Sequence, residues 1–444
     1  MRTQGEICSH DWFGPLPNGW QMMPLKSMFT FSKGMTVTKA DLTENGARIV
    51  NYGQIHSKTN TGTYFTDDLV RYISNEKISS KALLARKGSF IFSCTSEDLQ
   101  GCGNCVYLDS EAGVYAGGDT ILLSPLINGT DNKYLAYQFL TDAWRSQIRR
   151  DLVDVKVFHV NRGNLKEAYV VLPPPDVRRS IVSFLDARCA PINEAISRHR
   201  QAIDKLEEYR RAVIVKAVTK GLDSGVPMKD SGVTWIGMIP SSWSVERIKF
   251  VARLASGGTP SRDHPEYWGG NIPWVTTGDL NGTKVTATME NITQLGLENS
   301  SSKVFPSGTV LVAMYGGAGT IGKCGILGGD FAINQALCAI QCGCELDPNY
   351  LLYQMHAIRP YWMRHAAGTR KDPNISQALI ANEKISVPPY ADQLKIVSEL
   401  NRICTAVDNA IDRQNQIIEK LEEYRRSLIH AAVTGRIDCT KEPL

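Results

Sequence analysis

No stretch of about 18 consecutive apolar residues occurs in this chain, so no membrane-spanning helix is expected. Met1 to Gly19 lacks the basic stretch followed by an apolar one that marks a secretory signal, and the chain is expected to work in the cytoplasm. Neither sign of charge dominates: 49 Lys and Arg stand against 45 Asp and Glu, a net charge of +4. That balance excludes a histone-like coat or a basic tail, yet leaves room for a local basic face. Cysteine is sparse, 11 in 444 residues, too thin for the disulfide framework of a small secreted protein, and scattered reduced thiols are expected. The closest pairs, Cys102 with Cys105 and Cys342 with Cys344, lack the second pair or His doublet of a structural zinc site, so no metal is assigned. The 8 histidines are scattered, and no Ser/His/Asp or paired-carboxylate set assembles, so no catalytic residue is assigned.

What the chain does have is a repeat. At 43% hydrophobic residues it can build real cores, and its length suggests two or three domains. Lys205-Leu-Glu-Glu-Tyr-Arg-Arg211 returns 215 residues later as Lys420-Leu-Glu-Glu-Tyr-Arg-Arg426. The same offset carries Ala217-Val-Thr219 onto Ala432-Val-Thr434, Ile181-Val-Ser183 onto Ile396-Val-Ser398, and Pro173-Pro174 onto Pro388-Pro389. Trp12-Phe-Gly14 with Pro17 and Trp20 matches Trp235-Ile-Gly237 with Pro240 and Trp243, and Tyr134-Leu-Ala-Tyr-Gln138 matches Tyr350-Leu-Leu-Tyr-Gln354. The chain therefore reads as two related halves, each a globular segment followed by a helix.

In the first helix Ile192, His199, Leu206 and Val213 recur every seven residues, interleaved with Ile196, Ile203 and Arg210, the pattern of a coiled-coil seam. The second helix repeats it with Val407, Gln414, Leu421 and Leu428 interleaved with Ile411, Ile418 and Arg425. A segment from about Asp176 to Lys220 would reach roughly 65 Å, and Pro191 should kink or restart it. A stripe of this length needs a partner. The simplest is the other copy, paired antiparallel, with the matched polar positions fixing register. The alternative is that each helix packs on its own globular segment. Gly221 to Ser242 reads as a linker without period.

Both globular segments read as mixed α/β with many short strands, placing the chain in the α+β class. Strands are expected at Ile272–Thr277, Thr309–Met314, Phe331–Gln341, Ala82–Ser93 and Thr120–Leu123, and helices at Tyr134–Arg149 and Tyr350–His365. Gly317-Ala-Gly-Thr-Ile-Gly322-Lys323-Cys324 nearly fits a phosphate-binding loop. It has Cys324 where a hydroxyl must meet Mg²⁺, and the residues beyond Cys324 are strand-like where a helix is required. Val387-Pro-Pro-Tyr390 is similar to the tetrapeptide of amino-methyltransferases, but Val387 offers no acceptor for the target amine; a rigid hinge into the helix is the better reading.

The repeat, with Gly257-Gly-Thr-Pro-Ser261, Tyr267-Trp-Gly-Gly-Asn-Ile-Pro-Trp-Val275, Gly278-Asp-Leu280, Gly319-Thr-Ile-Gly-Lys323 and Ile333-Asn-Gln335, resembles the specificity subunit of type I restriction–modification systems over essentially the whole chain. The first half departs more, with Asn51-Tyr-Gly-Gln-Ile55 where the second has Thr276-Thr-Gly-Asp-Leu280. The resemblance implies two homologous target-recognition domains, 1–175 and 221–389 (the latter with its linker), and helical spacers at 176–220 and 390–444. It implies a non-enzymatic reader of a bipartite, asymmetric double-stranded DNA target that docks two modification (methyltransferase) subunits and restriction (translocase/nuclease) subunits. S-adenosylmethionine, ATP and Mg²⁺ would then sit on those partners and no cofactor on this chain, and no membrane is involved.

Candidate DNA-contacting residues are Lys33, Lys39, Tyr52, Gln54, His56 and Lys58 in the first half, and Arg262, Thr276, Asp279, Tyr315, Lys323, Arg370 and Lys371 in the second. Asn334 and Gln335 are expected to brace a loop. Glu207, Glu208 and Arg211, with Glu422, Glu423 and Arg426, are candidate docking positions on the helices' outer faces. The competing readings are a self-contained adenine methyltransferase with a fused reader and a coiled-coil scaffold that only bridges partners.

Overall fold

The computed structural model describes residues 13–80, 82–127, 132–149, 157–316, 319–367 and 374–441. The chain divides into two compact units, Met1–His199 with Gln416–Leu444, and Arg200–Asn415. The two long helices are Pro175–Lys220 and Tyr390–Val433. Each unit thus holds one α/β segment, the first part of one long helix and the last part of the other.

In the first unit, four antiparallel strands lie in the order Phe29–Lys33, Thr120–Pro125, Phe90–Ser93, Cys105–Tyr107. A second sheet runs Leu42–Thr43, Arg71–Ile73, Ala47–Val50, Val114–Ala116, Leu84–Ala85, with Ala47–Val50 parallel to Val114–Ala116. The second unit repeats this plan. One sheet runs Ala252–Ser256, Leu337–Cys342, Val310–Ala313, Cys324–Leu327, Lys284–Val285; the other runs Glu290–Ile292, Trp268–Val275, Phe331–Ile333, Val304–Phe305, with the central two parallel. Phe90–Ser93 and Val310–Ala313 are buried at every residue, which explains why they read as continuous apolar runs. In the first unit Phe90 and Phe92 pack on Phe139, whose ring centroid is 4.3 Å from that of Trp144. Burying each phenylalanine contributes roughly 1.5–3 kcal/mol over leaving it in water.

The repeated Tyr-Leu-x-Tyr-Gln motif joins each α/β segment to both long helices. The Tyr134 hydroxyl donates to the Val433 carbonyl at 3.1 Å, Tyr137 donates to Asp186 at 2.5 Å, and Gln138 bonds the backbone of Val171 in both directions. In the second unit Tyr350 donates to the Val218 carbonyl at 3.2 Å, Tyr353 to Asn401 at 2.8 Å, and Gln354 to the Ser386 carbonyl at 3.1 Å. These bonds show why Ala-Val-Thr recurs: Val218 and Val433 supply helix-end carbonyls that have lost their intrahelical donors. Each helix then ends on a glycine with positive φ, Gly221 at 76° and Gly435 at 73°. Against these glycines lie Trp243 with Pro240, and Trp20 with Pro17, respectively.

Within each unit the helix parts run antiparallel. In the first, Asp186 lies near the helix end that carries Val433, while Arg425 reaches Asn193. In the second, Asn401 lies near the end that carries Val218, while Arg210 reaches Asp408 at 2.6 Å. The first long helix runs through Pro191 without restarting.

Several sequence expectations are corrected. Phe331–Gln341 is two strands, Phe331–Ile333 and Leu337–Cys342, in different sheets, because the Asn334 side chain accepts the Ala336 amide and turns the chain. Ala82–Ser93 likewise splits into Leu84–Ala85 and Phe90–Ser93. Tyr134–Arg149 is two helices, Lys133–Phe139 and Asp142–Arg149, with the Thr141 hydroxyl accepting the Trp144 amide at the break. The linker carries a hairpin, Met228–Asp230 paired with Met238–Pro240.

Candidate nucleic-acid interface

A polar cleft of about 1100 Å³ opens in the first unit. Its walls are the turn around Tyr52–His56, the loop 95–104 that joins strands Phe90–Ser93 and Cys105–Tyr107, and the last part of the second long helix at Glu422, Arg425 and Arg426. Tyr52, His56 and Lys58 all face it. His56 is fixed on both ring nitrogens: Nε2 lies 2.9 Å from the Thr95 carbonyl, so it carries the proton, and Nδ1 accepts from the Asn104 amide at 3.2 Å. Tyr52 sits edge-on to the His56 ring and is 43% exposed, so its aromatic face is available to stack.

Other candidates stand apart from this cleft or have local duties. Lys33 is exposed at the end of strand Phe29–Lys33, and Lys39 is exposed on a one-turn 3₁₀ helix capped by Thr38 and Asp41. Gln54 accepts the Asn51 amide at 3.3 Å, the back-bond of a capping box. The second unit builds the same turn: Asp279 accepts the Thr276 amide at 2.7 Å, the Thr276 hydroxyl at 2.8 Å and the Met289 amide at 3.0 Å. The sequence reading of Thr276, Asp279 and Gln54 as base contacts thus meets a local role, since the polar atoms named in those bonds already brace a turn.

Arg262 gives its guanidinium fork to Glu290 at 2.7 and 2.8 Å and lies 3.6 Å above the Trp268 ring, an arrangement that orients it rigidly while leaving the side chain 57% exposed. Tyr315 is exposed beside the turn that ends at Lys323, which is half-buried. Arg370 and Lys371 lie outside the described residues. Asn334 and Gln335 brace loops as expected: the Asn334 amide donates to the Val275 carbonyl at 3.0 Å, and Gln335 accepts the Thr259 hydroxyl.

The seam positions Ile192, Ile196, His199, Ile203, Leu206, Arg210 and Val213, and Val407, Ile411, Gln414, Ile418, Leu421, Arg425 and Leu428, are all buried or half-buried. Glu208, Tyr209, Arg211, Glu423, Tyr424 and Arg426 are exposed.

Among the described residues, the near-phosphate motif leads at Cys324 into strand Cys324–Leu327, which pairs antiparallel with Val310–Ala313, where a phosphate-binding loop would lead into a helix. Burial pushes the Cys324 thiol up to about 12, far from an ionised ligand. Pro388 and Pro389 lie between strand Lys384–Val387 and the second long helix, Tyr390–Val433. Among the described residues no group of three or more His, Cys, Asp and Glu is placed to hold a metal, and no helix is long and apolar enough to cross a membrane.

Sequence reasoning missed Arg145, Arg149 and Arg359, which donate to turn carbonyls, and Asn104, which orients His56. The i, i+4 spacing of Arg145 and Arg149 places them on one helix face and was the available signal.

Comparison with known proteins fits this doubled plan. A family model described as the type I restriction modification DNA specificity domain matches residues 17–205 and again 240–423. The MjaIX specificity subunit of Methanocaldococcus jannaschii, a type I restriction enzyme component, is 30% identical over 193 residues, 42% of this chain and 44% of that protein; the chain thus spans less than half the length of that relative. The EcoKI specificity subunit of Escherichia coli K12 is 20% identical over 442 residues, 96% of this chain and 90% of that protein. A solved chain from work on the complex assembly and conformational transition of the type I R-M system has a TM-score of 0.63 at 18% identity, covering 95% of this chain and 100% of that one, which shows a shared fold. Matched by the family model twice and over most of its length, the chain belongs to the type I restriction modification DNA specificity family.

Proposed function

We propose that this chain is the DNA-recognition subunit of a type I restriction–modification complex, reading a bipartite, asymmetric target with one α/β segment per half-site. The observation that carries this reading is one fold built twice with different surfaces at matching places. The turn after Ala47–Val50 presents Tyr52, and the turn after Trp268–Val275 presents Thr277 in its place. Equal scaffolds with unequal tips suit two different sets of base edges in the major groove, where every base pair has its own donor and acceptor pattern.

The functional modules on this reading are recognition domains at 1–175 and 221–389 and spacers at 176–220 and 390–444. Lys33, Lys39, Lys58 and Lys323 take phosphates, while Tyr52, His56, Arg262 and Tyr315 approach bases. The seam of the helices sets the distance between half-sites. The identical Lys-Leu-Glu-Glu-Tyr-Arg-Arg stretches present Tyr209 and Tyr424 outward, 52% and 58% exposed, a duplicated surface suited to two copies of one partner. Those partners are two modification subunits, joined by restriction subunits; S-adenosylmethionine, ATP and Mg²⁺ belong to them. A chain at net +4 need not grip DNA strongly by itself when partners add phosphate contacts.

The test is retention of duplex DNA by the chain assembled with its modification partners, in competition across sequences at fixed salt. Selective retention of one bipartite sequence is expected. Equal retention of all duplexes would overturn the reading, and methyl transfer by the purified chain alone would point to the enzyme alternative.

A further inference from the structure

The loop 94–104 of the first unit and the turn that precedes Cys324 in the second occupy the same place in the fold. Each joins a fully buried strand to its antiparallel neighbour, with Phe92 opposite Cys105 and Val312 opposite Cys324. Each is also tied at its start to a downstream segment, through the Val160 amide on the Cys94 carbonyl at 2.8 Å and the Ile375 amide on the Met314 carbonyl at 2.9 Å.

Both are held by arginines from the neighbouring helix. Arg145 Nε donates to the Phe139 carbonyl at 2.8 Å, and its Nη1 to the Gln100 carbonyl at 3.0 Å. Arg149, one turn on, donates to the carbonyls of Gln100 at 2.8 Å and Cys102 at 3.2 Å. In the second unit Arg359 Nε donates to the Ile321 carbonyl at 3.1 Å and Nη2 to the Gly319 carbonyl at 2.6 Å. A guanidinium forked onto turn carbonyls is a cross-link, since its planar donors are pre-set and lose little freedom per bond formed. It matters most where the chain is otherwise loose: Gly319 and Gly322 both have positive φ and would leave the turn many alternatives. Outward of the clamps, Glu97, Asp98, Leu99 and Gln100 are exposed, and Glu97, Asp98 and Gln100 line the cleft that Tyr52, His56 and Lys58 face.

We propose that Arg145 with Arg149, and Arg359, are positioning residues for base reading: each clamp holds its turn in the shape that meets base edges, the first for one half-site and the second for the other. This rests on the recognition role proposed above. On the first turn the Glu97 carboxylate and the Gln100 amide suit the exocyclic amino groups of cytosine or adenine. A turn held in one shape cannot remodel to suit a wrong base, so mismatched edges leave its polar groups unpaired, and that penalty separates right from wrong bases.

The experiment uses the full chain assembled with its modification subunits, reading adenine methylation across all duplex sequences and retention of competing duplexes. Arg359→Ala should relax discrimination at the second half-site on the order of tenfold, leaving the first half-site and the sequence-independent, salt-dependent binding unchanged. Arg145→Ala with Arg149→Ala should do the reverse. Arg359→Lys, which keeps one donor on a carbonyl, should restore part of the loss. Should a clamp variant fail to fold, Glu97→Ala and Gln100→Ala on the exposed tip test the same assignment, with altered base choice in the first half-site alone expected. Unchanged discrimination in folded clamp or tip variants, or equal loss at both half-sites, would overturn the proposal. A wild-type complex without any selectivity would instead overturn the recognition reading on which it rests.

Discussion

The Arg210 guanidinium lies 2.6 Å from the Asp408 carboxylate, and the residues equivalent to them by the 215-residue repeat, Arg425 and Asn193, are bonded to each other. The same cross-helix contact has thus been kept twice, once as an ion pair and once as a neutral-acceptor bond. Because Arg210 and Asp408 are 35% and 55% exposed, solvent screens most of their attraction. Asp408→Ala should cost under about 1 kcal/mol, and Asp408→Asn, which copies the other unit, less still. Urea titration of the full chain followed by circular dichroism checks this. A loss of several kcal/mol from Asp408→Ala would show that the pair is a main support of the helix pairing.

The helix-ending glycines should differ in a graded way. Gly232, which ends no helix but lies between the two strands of the linker hairpin at φ 65°, has open space where a Cβ would sit, so Gly232→Ala serves as the reference that measures backbone strain alone, about 1 kcal/mol. A Cβ on Gly221 would sit 3.1 Å from the Trp243 ring, and one on Gly435 would run into Pro17. Melting temperatures should therefore fall in the order Gly232→Ala, Gly221→Ala, Gly435→Ala, the last with the greatest loss. Equal losses would mean that the tryptophan and proline caps contribute nothing.

His356 gives stability a pH dependence. The His356 side chain is half-buried, with Nε2 2.9 Å from the Gly282 carbonyl, and desolvation, aided by the charges of Arg210 and Arg359, holds its pKa below the ordinary 6.5. The unfolded chain therefore takes up this proton before the folded one does. The stability that neutral His356 contributes is full above pH 6.5 and declines as pH falls below it. His356→Gln removes that dependence, so the melting-temperature gap between wild type and variant should narrow between pH 7 and 5. A gap that stays constant or widens on acidification would contradict the assignment.

Much of this architecture is legible in the sequence, and the reason is local. A seven-residue apolar repeat, the stop at Lys220-Gly221 and a repeated heptapeptide all act within a few turns of helix, so a helix expected from about Asp176 to Lys220 is found at Pro175–Lys220. The sheets were harder because their register is set across long separations. Asn334 and Gln335 signal a loop within Phe331–Gln341, but they do not say that Phe331 and Leu337 belong to different sheets. Gly34 illustrates the same limit: its Cβ would collide with the Gly117 carbonyl just as that of Gly257 would with Ile333, yet only Gly257 sits in a recognisable motif. Candidate contacts such as Asp279 and Gln54 were ambiguous because capping a turn and reading a base use the same acceptor chemistry. The arginine clamps were hidden because Arg145 and Gln100 are 45 residues apart.

If the helices set the distance between half-sites, lengthening or shortening both by matched segments should change the number of base pairs between the half-sites and leave the bases themselves unchanged. Methylation mapping of such variants reads both quantities at once. Altered base identity with an unchanged spacer would contradict the role given to Pro175–Lys220 and Tyr390–Val433.

The most direct test of the recognition role is adenine methylation mapped genome-wide in cells carrying the natural chain, no chain, or a chain whose residues 12–175 come from another family member. The expected result is a bipartite methylated sequence that vanishes without the chain and changes in one half only after the exchange. Methylation unaffected by removing the chain, or changed in both halves by exchanging one segment, would contradict that role.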